Sequence, residues 1–206
     1  MELLYGLIRP IVRVATRLNV SPDTFSWLSL ILQGAAALWI ALGSFEIGGW
    51  LLVVGSSCDA LDGAVARASH RASDSGEVLD AAIDRWGEMA VFFAFAYYYR
   101  ADTLGFVLAC AACAGAIMVS YSRAKGESFG VDAKMGLMQR HERAVYLSAA
   151  TIISPWVTER WEGVSDHPRH LLVLAALALI ALLATATSIR RTAFTRATLA
   201  ARKNQP

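Results

Sequence analysis

The sequence has few charged residues and few cysteines, and each shortage excludes a class of protein. Asp, Glu, Lys and Arg make up 17% of the 206 residues, whereas apolar residues make up 56%. A chain this apolar is unlike a soluble domain of the same length and indicates membrane spans. Three cysteines are too few for a disulfide framework. Cys110 and Cys113 lie in an apolar run without a second ligand pair nearby, so we interpret them as packing residues rather than a zinc or redox site.

The sequence also lacks features that would divide the chain or mark it for cleavage. No small-residue cleavage site follows the first arginines, Arg9, Arg13 and Arg17, so we expect this segment to belong to the mature protein. We find no internal repeat, low-complexity tract or linker, and we predict a single domain over residues 1–206. The net charge of +2 does not point to a polyanionic partner, and we expect no nucleic acid among the partners.

Long apolar stretches are abundant. A membrane span needs roughly 20 predominantly apolar residues. Six stretches meet or approach that length: 24–43, 47–66, 78–99, 103–121, 143–157 with an extension toward 160, and 171–189. Residues 1–19 alternate apolar residues with arginines, which is typical of an amphipathic interfacial helix. Ser21 and Pro22 fit the cap and first turn of the first span. We therefore predict an all-α integral membrane protein with an N-terminal interfacial helix and six transmembrane helices over residues 22–191.

The basic residues favour one orientation in the membrane. Six spans place both termini on the same side, and all but three of the 19 Lys and Arg residues fall on that side. The exceptions are Arg100, Arg160 and Arg169. By the positive-inside rule, we expect a multi-pass protein of the cell (inner) membrane with both termini in the cytosol. The loops after the second and fourth spans are then cytosolic too.

Four aspartates stand where the second span ends and the third begins. Asp59 and Asp62 are three residues apart, and Asp80 and Asp84 are four apart, so each pair projects from one helical face. A short polar turn joins the two helices, which allows the faces to meet at the membrane boundary. Charges there are costly unless neutralised, and ligands that are all oxygen select magnesium or manganese. The pattern predicts a two-metal site of the kind that catalyses displacement at phosphorus.

Two glycines and an arginine accompany the aspartates. Gly63 directly follows Asp62, where a side chain would block the approach of a ligand to the backbone. Gly76 lies one turn before Asp80 and leaves room for a diphosphate or nucleotide along the third span. Arg67 offers a planar fork for a phosphate or a base carbonyl. The alternative for Arg67 is a side chain that reaches out to lipid phosphates.

The run from Asp59 to Asp84 reads D-x-x-D-G-x-x-A-R-x8-G-x3-D-x3-D. It resembles the signature of the CDP-alcohol phosphatidyltransferases at every fixed position, and the six spans and amphipathic start are similar to that family as well. The resemblance implies that Asp59, Asp62 and Asp80 ligate the metals. It implies that Asp84 ligates one metal and also deprotonates the acceptor hydroxyl, with CMP as the leaving group.

The same resemblance assigns the donor, a CDP-diacylglycerol-type lipid, to a set of residues around the signature. The expected donor-binding residues are Gly63, Arg67 and Ser73, with help from Asp23 and Thr24 in the S-P-D-T segment before the first span.

The acceptor must be sought at the cytosolic ends of the last three spans. Arg123, Arg140, Arg143 and Arg191 lie there, and several arginines around one polar cavity suit a phosphate on the acceptor. Taken singly, each arginine also fits a basic belt that contacts anionic membrane lipids. Glu88 continues the face of Asp80 and Asp84, where it suits either an ion pair with arginine or a contact to acceptor hydroxyls.

The stretches S-Y-S-R-A-K from Ser120 and G-L-M-Q-R-H-E-R from Gly136 resemble the family members that make phosphatidylinositol phosphate and its archaeal counterpart. The resemblance implies that the phosphate of inositol 1-phosphate is bound by Ser120, Arg123, Arg143 and Arg191. Three positions depart from the subgroup's pattern: it has lysine where Arg123 stands, arginine at Lys125 and glutamate at Gln139.

Two other functions remain open at this point. The same chemistry could use glycerol 3-phosphate or another alcohol, although the arginine-glutamate pair usual in the glycerol-3-phosphate enzymes does not match Ser120-Tyr121. A cation- or proton-coupled transporter also carries intramembrane carboxylates, but these would be spread over the membrane depth. The resemblance further implies a homodimer.

Overall fold

A computed structural model describes residues 2–69, 71, 73–133, 135–162 and 167–203, with side chains from residue 9 onward in these ranges. The described chain is all-α and forms seven helices: α1 Glu2–Arg17, α2 Pro22–Ala41, α3 Phe45–Ala68, α4 Asp74–Tyr98, α5 Thr103–Ser128, α6 Arg140–Trp161 and α7 Leu171–Lys203.

Three of these helices, α2, α5 and α7, are long and apolar enough to cross a membrane. Helices α3, α4 and α6 have 24, 25 and 22 residues, but they carry the aspartates, glutamates and arginines of the site, which lower their mean hydropathy. The structure thus confirms an all-helical membrane protein and six helices at the predicted places, while three of them qualify as spans by composition. Helices α5 and α7 run well past the expected ends at 121 and 189, because backbone hydrogen bonding continues where the apolar run stops.

Helices α2 to α7 form a closed ring. In the order α2, α3, α6, α7, α5, α4, each helix packs on the next, and α4 packs back on α2. The interfacial helix α1 packs on α3. Buried apolar side chains from all six ring helices fill the centre, among them Ile40, Phe45, Phe95, Ala116, Leu147 and Leu177. Because α2 contacts both α3 and α4, it holds the two aspartate-bearing helices in a fixed relation.

Polar caps fix the helix starts that border the site. Ser73 is the N-cap of α4, and its hydroxyl accepts a hydrogen bond from the N–H of Gly76. Gln139 and Glu142 form a reciprocal capping box at the start of α6, in which the Gln139 N–H donates to Glu142 at 2.7 Å. Ser21 is the N-cap of α2 as predicted, but its side chain makes no capping hydrogen bond. The backbone of Pro22 needs none, because proline has no N–H.

The outer surface of the ring is apolar. Trp27, Ile31, Trp50 and Leu182 are exposed on α2, α3 and α7, as expected for side chains that face lipid. On α1, Ile11 and Val14 are exposed beside exposed arginines, and Ala15 is buried. This part of α1 is amphipathic as predicted, whereas the side chains of residues 1–8 lie outside the described residues.

Candidate active site

Three of the four signature aspartates form one cluster. Asp59 and Asp62 lie on the last turns of α3, and Asp80 lies on the second turn of α4. One carboxylate oxygen from each lies within 4.8 Å of the other two. Asp84, one turn further along α4, lies beside Asp59 and is buried. The structure therefore brings together the four residues that the sequence pattern placed on two facing helices.

Local contacts hold Asp62 in place. The hydroxyl of Ser26 on α2 donates to Asp62 Oδ2 at 2.8 Å, and the Gly63 N–H donates to Asp62 Oδ1 at 2.5 Å. Both oxygens of a buried carboxylate are thus oriented toward fixed donors, one from its own helix and one from the neighbouring helix. Ser26 was not singled out from the sequence, because a serine in an apolar helix gives no signal of its partner.

The cluster has the chemistry of a divalent cation site. Its ligands are all carboxylate oxygens, which hard divalent cations prefer. Asp80 Oδ1 is buried and has no hydrogen-bond partner in the described part of the chain, and a buried unpaired carboxylate oxygen is costly unless a cation neutralises it. The residues present therefore fit magnesium or manganese.

Arg140, at the first turn of α6, reaches across to two of the aspartates. Its two terminal nitrogens donate to the two oxygens of Asp59 at 2.5 and 2.8 Å. Nη2 also lies 2.5 Å from Asp84 Oδ1. The sequence placed Arg140 among the arginines suited to an acceptor phosphate, but it did not reveal that Arg140 faces the carboxylates, because nothing in the spacing shows which arginine does so.

The expected donor-binding residues form two local groups, one at Gly63 and one at the start of α4. Arg67 folds over Gly63, so that a Cβ at Gly63 would lie 3.2 Å from Arg67 Nη1. A Cβ at Gly76 would lie 3.2 Å from the Ser73 hydroxyl and 4.0 Å from Asp23 Oδ1. Asp23 at the start of α2 therefore meets the start of α4. Thr24 is exposed next to Asp23.

A second tie holds these two helix starts together. Arg71, in the turn between α3 and α4, donates to the side-chain oxygen of Asn19 at 3.1 Å. Asn19 has a positive φ of 56°, a conformation that asparagine tolerates better than most residues. The tie joins the segment before α2 to the segment before α4.

The expected acceptor side is built around Glu88. Its two oxygens pair with Arg85 Nη1 at 2.9 Å and with Arg143 Nε at 2.7 Å. Arg143 is only 2% exposed and also donates to the Met138 carbonyl. Arg85 donates in addition to the hydroxyl of Ser120. Ser120 and Arg143 are thus joined through Arg85 and Glu88, and the ion-pair alternative for Glu88 is the one observed.

The other two expected acceptor residues are placed differently from each other. Arg191 is buried, and its guanidinium donates to the carbonyls of Met135 at 2.7 Å and Val119 at 2.9 Å. Arg123 is about half exposed and pairs with Glu127 one turn away. Arg123 and Arg143 are both close enough to Arg191 to interact with its charge. The three arginines therefore share one end of the bundle, although Arg123 lies at its surface.

A cavity of about 700 Å³ lies next to Glu88 and Arg143, mainly between α3, α4 and α6. Its polar wall contains Asp59, Glu88, Arg140 and Arg143, and its remaining wall is mostly apolar. The cavity therefore joins the carboxylate cluster to a space that suits hydrocarbon. The sequence did not reveal it, because its walls come from five separate helices, α1 and α2 as well as α3, α4 and α6.

The sequence and the fold both have known relatives. The profile of the CDP-alcohol phosphatidyltransferase family matches residues 19–187. The phosphatidylinositol phosphate synthase of Cutibacterium acnes is 35% identical over 66% of this chain and 68% of its own length. The archaetidylinositol phosphate synthase of Methanothermobacter thermautotrophicus is 29% identical over 85% of this chain and 89% of its own.

The fold matches that of the phosphatidylinositol phosphate synthase of Mycobacterium tuberculosis, which has been solved with CDP-DAG bound and, separately, with manganese and citrate. The TM-score is 0.78 and the identity 23% in both cases. The CDP-DAG complex covers 92% of this chain and 94% of the solved chain. The family profile spans the four aspartates, helices α2 to α6 and the first half of α7, so this chain belongs to the CDP-alcohol phosphatidyltransferase family.

Proposed function

We propose that this enzyme transfers the phosphatidyl group of CDP-diacylglycerol to inositol 1-phosphate and releases CMP. The observation that carries the proposal is that two sets of charged groups lie next to each other along α4: the carboxylate cluster of Asp59, Asp62 and Asp80, and the arginine pair around Glu88, in which Arg143 is buried and Arg85 is partly exposed. The first suits a diphosphate with divalent cations. The second suits an acceptor that carries its own phosphate. The relatives named above as inositol phosphate lipid synthases support the same acceptor.

The aspartates would hold magnesium or manganese, with Asp59, Asp62 and Asp80 as ligands and Asp84 as a further ligand of one of the cations. The bound cations supply charge neutralisation for the diphosphate and for the leaving CMP. Asp84 lies beside the cluster on the face of α4 that leads to Glu88, so it stands between the proposed donor and acceptor sites. We assign it the proton of the acceptor hydroxyl.

The reaction is a single displacement at phosphorus. The acceptor oxygen forms a bond to the phosphorus that carries the diacylglycerol, and the bond from this phosphorus to the CMP oxygen breaks. The hydroxyl proton passes to Asp84, and CMP leaves with the electron pair of the broken bond. Asp23, Thr24, Gly63, Arg67 and Ser73 would hold the CDP part, and the apolar wall of the cavity is open to the acyl chains.

The acceptor phosphate would be bound by Ser120, Arg123, Arg143 and Arg191. Arg143 and Arg191 are buried and oriented by fixed oxygen atoms, so little side-chain entropy is lost when a phosphate arrives. Arg123 would have to leave Glu127, an exposed pair of the kind that contributes little stability.

The position of the site in the helix bundle supports an orientation in the membrane. We propose six spans, a single domain, and both termini and the active site on the cytosolic side of the cell membrane. The carboxylate cluster, the start of α6 and the end of α5 lie together at one end, where the basic residues concentrate. Carboxylates clustered at one end also argue against the transporter alternative. The exposed apolar surface is available both to membrane lipids and to a second copy in a homodimer.

The test is CMP release and lipid-product analysis with purified protein, CDP-diacylglycerol and a panel of acceptors. We expect turnover with inositol 1-phosphate to exceed that with free inositol, glycerol 3-phosphate or serine. A product formed equally well from free inositol would show that the arginines do not select a phosphorylated acceptor. If glycerol 3-phosphate were the only acceptor used, the proposed transfer chemistry would stand and the proposed acceptor would be wrong.

A further inference from the structure

Arg140 occupies both oxygens of a residue that also belongs to the carboxylate cluster. Nη1 and Nη2 lie 2.5 and 2.8 Å from the two oxygens of Asp59, while an oxygen of Asp59 lies within 4.8 Å of oxygens of Asp62 and Asp80. A cation bound by the three aspartates would therefore share Asp59 with a guanidinium. The cation and the guanidinium would both contact Asp59, and two positive charges this close repel each other in a partly buried site.

The same guanidinium joins the two helices that carry the aspartates. Its contact with Asp84 Oδ1 at 2.5 Å links α4 to Asp59 on α3. Arg140 is about one quarter exposed and belongs to α6, whose start is fixed by the capping box of Gln139 and Glu142. One side chain from a third helix thus holds carboxylates from the other two together.

No other arginine in the described part of the chain makes this contact with the cluster. Arg85 approaches Asp84 at 3.8 Å but pairs more closely with Glu88. Arg67 lies over Gly63 and is exposed. The positive charge nearest to Asp59 and Asp84 therefore comes from Arg140.

We propose that Arg140 is a positioning residue that sets the affinity of the metal centre. Its charge holds Asp59 and Asp84 together without metal and opposes divalent cations at the shared carboxylate. The affinity for the cations is thereby lowered, so that they bind reversibly. Metal binding also becomes coupled to α6, the helix that carries Arg143 of the proposed acceptor site. This inference rests on the proposed metal site.

The test measures Mn²⁺ binding by the loss of the free Mn²⁺ signal in electron paramagnetic resonance, without substrates. Arg140→Ala should bind Mn²⁺ at least about tenfold more tightly than the wild type, because a repelling charge next to Asp59 is removed. After removal of metal with EDTA, the same variant should have a lower thermal midpoint, because the carboxylates lose their counter-charge. If Arg140 only stabilised the fold, its removal would weaken Mn²⁺ binding instead.

Two further variants separate charge from shape. Arg140→Lys keeps the charge and loses the fork, so its Mn²⁺ affinity should stay near that of the wild type. Arg140→Gln removes the charge with less loss of volume, and it serves if the alanine variant does not fold. Arg100→Ala, at the opposite end of the bundle, is the matched arginine control and should change neither readout.

The outcomes distinguish this inference from the proposed function. A wild-type protein that binds no Mn²⁺ would remove the proposed metal site itself. A wild type that binds Mn²⁺, with neutral Arg140 variants that bind it equally or more weakly, would overturn the role of Arg140 alone. Tighter binding by the neutral variants and not by Arg140→Lys is the result that the geometry requires.

Discussion

At the level of single residues, the proposed role of Asp84 as the base makes the most specific prediction about the chemistry. If it takes the acceptor proton, Asp84→Asn should lower turnover by at least about 100-fold, the scale of general base catalysis. Binding of the CDP-lipid should largely survive, because Asp59, Asp62 and Asp80 still form the cluster. Turnover and CDP-lipid binding measured on the same preparation decide this. Loss of lipid binding together with turnover would make Asp84 primarily a metal ligand.

Arg143 tests the acceptor site separately from the donor site. Arg143→Ala removes a charge-assisted contact of about 1.5–3 kcal/mol, so the KM for inositol 1-phosphate should rise roughly 10- to 150-fold. The KM for CDP-diacylglycerol should change little. Because Arg143 is fully buried against Glu88, Arg143→Lys serves as the variant that keeps the charge. If only the KM for CDP-diacylglycerol rose, Arg143 would belong to the donor site.

The residues of the carboxylate cluster could be predicted from the sequence, and their hydrogen-bond partners could not. The spacing of Asp59, Asp62, Asp80 and Asp84 fixes their helical faces, and a short turn brings the faces together. Contacts between helices that are distant in the chain leave no such pattern. Arg140 on Asp59, 81 residues apart, and Ser26 on Asp62, 36 residues apart, depend on the packing of the ring.

At the level of helices, the close approach of α3 and α6 sets where Arg140 meets Asp59. The two helices pack on each other, and a Cβ at Gly49 would lie 2.6 Å from Ile152 Cγ1 and 2.9 Å from the Ile152 backbone nitrogen. Because backbone cannot yield as a side chain does, Gly49→Ala should push the helices apart and destabilise the protein by about 1–3 kcal/mol. Thermal unfolding in detergent measures the effect.

Gly34 supplies the matched control, since it also lies inside a helix and has nothing within 4 Å of an added Cβ. Gly34→Ala should leave the thermal midpoint unchanged or raise it slightly, because alanine favours helix over glycine by up to about 1 kcal/mol. Equal destabilisation by both substitutions would show that the α3–α6 contact is not special.

Helix positions followed from the apolar stretches, whereas helix ends did not. The expected fifth span at 143–157 is part of α6, which begins at Arg140 and contains Pro155. The start is set by the capping box of Gln139 and Glu142, and the residues of its first turn are polar. Hydropathy identifies the apolar part of a helix. It does not identify polar turns that extend the same helix, such as the turns of α7 from Arg191 to Lys203.

At the level of the whole molecule, the apolar outer surface bears on assembly. We expect a homodimer in mild detergent or nanodiscs, with one complete site in each protomer, because every proposed site residue lies within one ring of helices. Light scattering gives the particle mass, and CMP release from the same fraction gives its activity. A strictly monomeric particle with full activity would contradict the dimer and leave the site assignment intact.

The central claim is that the aspartates form a divalent-cation centre that transfers a phosphatidyl group. The most direct measurement is CMP release from CDP-diacylglycerol with inositol 1-phosphate as Mn²⁺ is added back to EDTA-treated protein, for the wild type and for Asp80→Asn. We expect no CMP release without the cation, recovery on addition for the wild type, and neither recovery nor tight Mn²⁺ binding for Asp80→Asn. Near-normal release by the wild type without a divalent cation, or by Asp80→Asn, would contradict it.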